Sequence, residues 1–173
     1  MRASNVRIDG QIAFVALTKG YETVIDACDI PAILEFKWHA AVHSGVVYAR
    51  RCAGRDASGR QKFEMMHRRL VSPPDDGCVD HVNGNGLDNR RLNIRTASRA
   101  ENNRNAKRRI DNTSGHKGVS FHRRLGKWQA YINYEGKRRS LGYFNVENEA
   151  ADAYRAASLI LHREFRRQDN ARC

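Results

Sequence analysis

The sequence predicts an α+β protein: a β-rich N-terminal segment, a central strand–loop–helix segment, and a small three-stranded antiparallel sheet with one helix. Three observations carry that expectation. Two apolar runs flank a glycine turn near the N-terminus, at Gln11–Thr18 and Tyr21–Asp26. Lys127–Asn133 alternates apolar and polar residues at the strand period of two. Ala150, Ala153, Tyr154, Ala157 and Leu161 recur at helical spacing.

In chain order, Lys19-Gly20 supplies a hairpin-like turn between the first two runs, with glycine where a positive φ is expected. Asp29-Ile30-Pro31 predicts a helix start, because proline fits the first helical turn. Val46–Arg50 predicts a further strand and Met66–Val71 a short helix. Pro73–Gly77 turns the chain into a strand carrying Asp80 and His81, and Asn83–Gly86 is a loop by composition. Ser98 and Glu101 match a capping box, which places Asn102 in the first turn of a helix. Residues 103–113 are almost free of apolar side chains and read as a helix tail or basic linker. In the last segment Trp128, Ala130 and Ile132 take one strand face, and Lys127, Gln129, Tyr131 and Asn133 the other. Tyr134–Lys137 turns into a strand over Arg138–Phe144, and Asn145 is the expected cap of the final helix. Segments 1–65, 66–105, 106–113 and 114–173 follow from these breaks.

Charge narrows the partners. The 173 residues carry a formal net charge of +12. Its basic excess grows along the chain, reaching 12 Lys/Arg against 6 Asp/Glu over residues 114–173. Such a balance favours polyanions, nucleic acid before membrane. The longest apolar run, Ile12–Leu17, is far short of the ~20 residues a spanning helix needs. With no signal-peptide pattern at the N-terminus, the chain is expected to act in the cytoplasm where it is made. Cys28, Cys52, Cys78 and Cys173 form no CxxC pair, which argues against zinc and for reduced thiols.

The chemistry concentrates at Asp80, His81, Asn93 and Asn102. Mg²⁺ takes few protein oxygens and keeps its waters, so one carboxylate (Asp80) and one amide oxygen (Asn102) suit it; Mn²⁺ suits the same ligands. One such ion per active site would polarise a phosphoryl oxygen and stabilise a departing 3′ oxygen. A histidine beside the carboxylate titrates near neutral pH and can accept a proton from water. In an extended strand Asp80 and His81 point to opposite sides. Asn93 would brace the intervening loop. His81–Leu92 is no EF-hand, since its first position is His and its twelfth Leu rather than Asp and Glu.

Met66–Val71, Val79–Asn85, Leu87–Arg90, Leu92–Arg95 and Glu101–Asn105 closely resemble the HNH endonucleases of phage and group I intron homing type. The resemblance covers about residues 65–105. It implies a ββα-metal nuclease core, with Asp80 and Asn102 as metal ligands, His81 as general base, and Asn93 fixing His81 through backbone hydrogen bonds. His67, in the lead-in helix, is expected to be structural. Ser114–Val119, Gly126–Ile132, Leu141–Phe144 and Glu149–Tyr154 are similar to the AP-two-type DNA-binding domain of plant ethylene-response factors. That resemblance implies a sheet in the major groove, presenting Lys117, Ser120, His122, Arg124, Tyr131, Asn133 and Arg138.

Together these readings give a metal-dependent DNA endonuclease of a phage-infected or prophage-carrying cell. It would act on double-stranded DNA as a monomer or weak dimer, with no membrane partner. The alternative is a non-catalytic DNA-binding regulator that keeps a relic nuclease core.

Overall fold

The computed structural model describes residues 6–105, 112 and 114–165. The chain divides into two compact units, Met1–Arg99 and Ala100–Cys173. The expected basic linker at 106–113 lies outside the described residues apart from Asn112, as does Cys173.

The first unit opens with an antiparallel meander of β1 (Val6–Asp9), β2 (Ile12–Ala16) and β3 (Glu22–Asp26). Its parity is strict: Ala13 and Val15 are buried from β2, and Thr23 and Ile25 from β3. Lys19 and Gly20 both take positive φ (62° and 73°) in the turn between them, which glycine accommodates at no steric cost. Helix α1 (Ile30–Leu34) follows, with Pro31 in its first turn. A second antiparallel meander comprises β4 (His39–His43), β5 (Val46–Arg55) and β6 (Gln61–Met65). Helix α2 (Met66–Val71) leads to a two-stranded sheet of β7 (Cys78–His81) and β8 (Ile94–Ala97). One core joins these parts, running through Ala13, Ile25, Ile33, Trp38, Ala49, Met66, Leu70 and Ile94. The expected boundary at 65/66 therefore falls inside a compact unit.

Helix α3 (Arg99–Asn105) begins directly after Ser98. The second unit then builds a sheet of β9 (Val119–His122), β10 (Lys127–Tyr134) and β11 (Lys137–Phe144), with β10 central. Helix α4 (Glu147–Leu161) packs on it, and Val119, Ala130, Ala150 and Ala151 form the core with Trp128, Phe144 and Tyr154 around them. Gly118 (φ 72°) lies so close to Tyr154 that any Cβ there would overlap the ring. Asn145 does not cap α4; the N-cap is Val146, one residue later, with no side-chain cap bond.

The expected α+β fold around a ββα-metal nuclease core is corrected by this architecture. The described residues form four small antiparallel sheets, three of three strands and one of two, and the protein is predominantly β. Among the described residues, helices α1, α2 and α3 have five, six and seven residues, and only α4, with fifteen, is long. The reason is the period of the apolar residues. They recur every second position in strands such as β2, β3 and β10, and the longest 3.6-residue stripe among the described residues is that of α4. Helix α3 buries Asn105 alone from a polar sequence and has no apolar stripe with which to complete a ββα core. No helix among the described residues is long and apolar enough to cross a membrane.

Candidate functional site

Strands β7 and β8 pair with Asp80 opposite Arg95 and His81 opposite Ile94, and the chain between them forms a loop from Val82 to Asn93. The loop is closed by the Asn93 amide. Its Oδ1 accepts from the Asn83 N–H (3.0 Å), and its Nδ2 donates to the Asp88 carbonyl (2.7 Å). The Val82 N–H donates to the Asn93 carbonyl at 2.8 Å. Asparagine turns fold the tip: Asn83 Oδ1 accepts from Asn85 N–H (2.8 Å), and Asn85 Oδ1 from Leu87 N–H (3.1 Å). The Asp88 carboxylate accepts from Asn83 Nδ2 and from the Arg90 guanidinium. Burial pushes its pKa up, but Arg90 and the other donors outweigh this and hold it below the usual carboxylate range.

The N-terminal meander clamps this loop. The Val24 N–H donates to the Leu87 carbonyl (2.9 Å), and the Asn89 N–H donates to the Val24 carbonyl (2.8 Å), extending β3 by a parallel bridge to Asp88. Thr23 Oγ1 donates to the Leu87 carbonyl (2.8 Å) and lies 2.7 Å from Asn89 Nδ2. Asp26 accepts from the Arg91 N–H (2.7 Å), and the Arg91 guanidinium reaches both oxygens of Asp29. Asp29 makes no helix-capping bond; its buried carboxylate serves the loop instead.

His81 is 6% exposed, with Nε2 3.2 Å from Asn89 Oδ1. The His67 ring meets it edge-on at 5.0 Å, and the Tyr48 ring lies at 5.8 Å. Burial lowers the His81 pKa below its ordinary value, against the upward pull of Asn89, Asp80 and Asp88, so the ring is neutral at pH 7. His67 is pushed to about 3 by burial, with the nearby His81 and Arg68 adding to it, and its buried Nδ1 has no hydrogen-bond partner. Burial, helped by Asp80, raises the Tyr48 phenol. Gly86 permits the packing around Tyr48: a Cβ there would stand 2.5 Å from the Val47 carbonyl and 2.6 Å from the Tyr48 ring.

Asp80 is 4% exposed, and its Oδ2 accepts from Arg95 Nε (3.0 Å) and Nη2 (2.8 Å). A single hard carboxylate fits a cation that keeps most of its waters, as Mg²⁺ does. A closed structural site does not fit, since among the described residues no three His, Cys, Asp or Glu side chains gather as a metal cage. Asn102 lies half-buried on α3, in the second unit. Asp80, His81 and Asn93 are thus brought together by β7, β8 and their loop.

In the second unit, strand register defines a polar face. Ser120 pairs with Gln129, His122 with Lys127, Arg138 with Asn133, and Ser140 with Tyr131. Directly paired residues share a face, so these eight side chains lie on the side opposite Ala130 and Ile132, which are buried toward α4. Arg138 stacks 3.6 Å above the Tyr131 ring, and the His122 ring meets Tyr143 edge-on. Arg124 is exposed in the β9–β10 turn. Lys117 precedes β9, and its Nζ donates to the Arg104 carbonyl on α3 at 2.7 Å.

Sequence reasoning missed Thr23, Tyr48, Asn89 and Arg95. One signal was present: Thr23 shares a strand face with Ile25, a polar residue at a core position.

These features define a two-unit, β-rich protein that joins a buried histidine–asparagine loop site to a sheet with a basic, aromatic-bearing face. No protein-family model and no solved structure matches the chain. It is 34% identical over 89 residues to Protein 3.8 of Escherichia phage T7, a match covering 51% of this chain and 73% of that protein. The chain belongs to the family of that phage protein.

Proposed function

We propose that this protein is a metal-dependent DNA endonuclease of the HNH type. The observation that carries the reading is His81: a buried, neutral imidazole held by Asn89, next in sequence to the Asp80 carboxylate, in a loop closed by Asn93. A neutral imidazole accepts a proton from water. The water oxygen then bonds to phosphorus as the P–O3′ bond breaks, and the 3′ oxygen takes a proton from solvent. A divalent cation, Mg²⁺ or Mn²⁺, supplies charge stabilisation on the phosphoryl and 3′ oxygens when bound. Asp80 would hold it. The polar sheet face with Ser120, His122, Tyr131, Asn133 and Arg138, in a chain of net charge +12, supports double-stranded DNA as the substrate. The phage origin of the relative supports action in the cytoplasm of an infected bacterial cell.

A second reading, a DNA-binding regulator without activity, is favoured by one contact: the Asp80 carboxylate already has a cationic partner in Arg95. Incubation with supercoiled plasmid separates the two. Nicking that needs Mg²⁺ or Mn²⁺, stops with EDTA and is lost in His81→Ala supports the nuclease. DNA binding without nicking under any divalent cation supports the regulator.

A further inference from the structure

We infer that Thr23 and Asn89 are positioning residues that fix the neutral form of His81 as its Nε2–H tautomer. The role in proton transfer rests on the nuclease reading; the tautomer does not.

The inference follows from counting protons along one buried chain of hydrogen bonds. The Leu87 carbonyl can only accept, so the single hydroxyl proton of Thr23 is directed to it at 2.8 Å. The 2.7 Å contact between Thr23 Oγ1 and the Asn89 amide must then run the other way, with Nδ2 donating. This orients the amide: nitrogen toward Thr23, oxygen toward His81. An amide oxygen cannot donate, so His81 Nε2, 3.2 Å from Asn89 Oδ1, carries the ring proton. A neutral imidazole has one N–H, so in that form the proton is on Nε2. Thr23 and Asn89 are both 0% exposed, so water cannot substitute for either partner. Main-chain bonds between Val24 and both Leu87 and Asn89 hold the two segments in register. The N-terminal meander thereby sets the chemistry of a histidine 58 positions further along the chain.

The test uses the full chain labelled with ¹⁵N-histidine. Long-range ¹H–¹⁵N correlation spectra read which nitrogen of His81 is protonated, and His81→Gln assigns the signal. Wild type is expected as the Nε2–H form. Thr23→Val keeps the shape but removes the hydroxyl, so the Asn89 amide loses its orientation and the Nε2–H fraction falls. Thr23→Ser restores it. In plasmid cleavage, Thr23→Val is expected to lower kcat about 10- to 100-fold, the range typical of lost supporting hydrogen bonds, with KM for DNA nearly unchanged. Thr23→Ser is expected to recover the rate. Thr23→Ala removes the same hydroxyl should the valine variant fail to fold. An Nδ1–H tautomer in wild type, or a Thr23→Val spectrum identical to wild type, overturns the inference. Absence of cleavage by wild type overturns the nuclease reading alone, because the spectra still decide the tautomer.

Discussion

Arg95 stands directly across the β7–β8 ladder from Asp80 and places two guanidinium nitrogens on one carboxylate oxygen. The side chains are 20% and 4% exposed, so little water shields the pair. Removing one partner of such a buried pair costs about 3 kcal/mol or more. Arg95→Gln is therefore expected to lower unfolding free energy by about that amount in the presence of EDTA. If Asp80 also binds a divalent cation, millimolar Mg²⁺ should stabilise Arg95→Gln more than wild type, because the cation replaces the missing charge. Urea unfolding with EDTA and with Mg²⁺ measures both effects. Equal Mg²⁺ stabilisation of the two proteins would sink Asp80 as a ligand.

His67 makes stability depend on pH. Burial, with His81 and Arg68 nearby, depresses its folded pKa from 6.5 to about 3. The unfolded chain then binds a proton that the folded chain refuses. The contribution is whole above pH 6.5 and is lost as pH falls toward about 3, with a limiting slope of about 1.4 kcal/mol per pH unit. His81, also depressed, adds to the slope in the same direction. His67→Phe keeps a ring against Tyr48 and His81 and removes this one titration. Its stability is expected to fall less steeply between pH 6.5 and 4.5 than that of wild type, measured by urea unfolding at several pH values. Parallel curves for the two proteins would contradict the assignment.

Gly86→Ala tests how tightly the loop is packed. The added methyl would press on the Val47 carbonyl and the Tyr48 ring, and Tyr48 in turn meets the His67 ring edge-on and the His81 ring at a tilt. Neither β5 backbone nor a packed ring yields cheaply, so a loss of about 1–3 kcal/mol is expected. Cleavage should fall with it, since the His81 ring loses its support. A variant of wild-type melting temperature and full activity would show that the loop has room to move.

Sequence patterns revealed the elements in which side chains alternate against a core. Lys127–Asn133 and the stripe of α4 were legible because burial itself imposes their periods. β6 was not, because Gln61, Lys62 and Phe63 are exposed and the strand is held by backbone pairing to β5 rather than by an apolar face. The four-residue β1, with Arg7, Ile8 and Asp9 exposed, was hidden for the same reason. At the site, the loop joining Asp80, His81 and Asn93 is local, so its spacing was readable. The bond from Thr23 to Asn89 spans 66 positions, and no periodicity encodes a contact between two sheets. A motif position likewise does not reveal that the Lys117 ammonium meets the Arg104 carbonyl on α3.

On the sheet of the second unit, Arg138 tests the proposed DNA face. Its guanidinium lies over the Tyr131 ring, and the residue stands opposite Asn133 in the ladder, so the side chain is held in place yet exposed. A guanidinium so placed can meet a phosphate without first losing its rotamer freedom. Each phosphate contact contributes about 0.9 to the slope of log K against log salt. Arg138→Ala is expected to weaken binding to unrelated duplexes alike and to reduce that slope by about 0.9. Arg138→Lys should keep the slope while losing some affinity, because the ammonium retains the charge but not the planar stack on the ring. Fluorescence anisotropy over a salt series measures all three proteins. An unchanged slope in Arg138→Ala would place the DNA contacts elsewhere, and a loss confined to one sequence would make Arg138 a base reader instead.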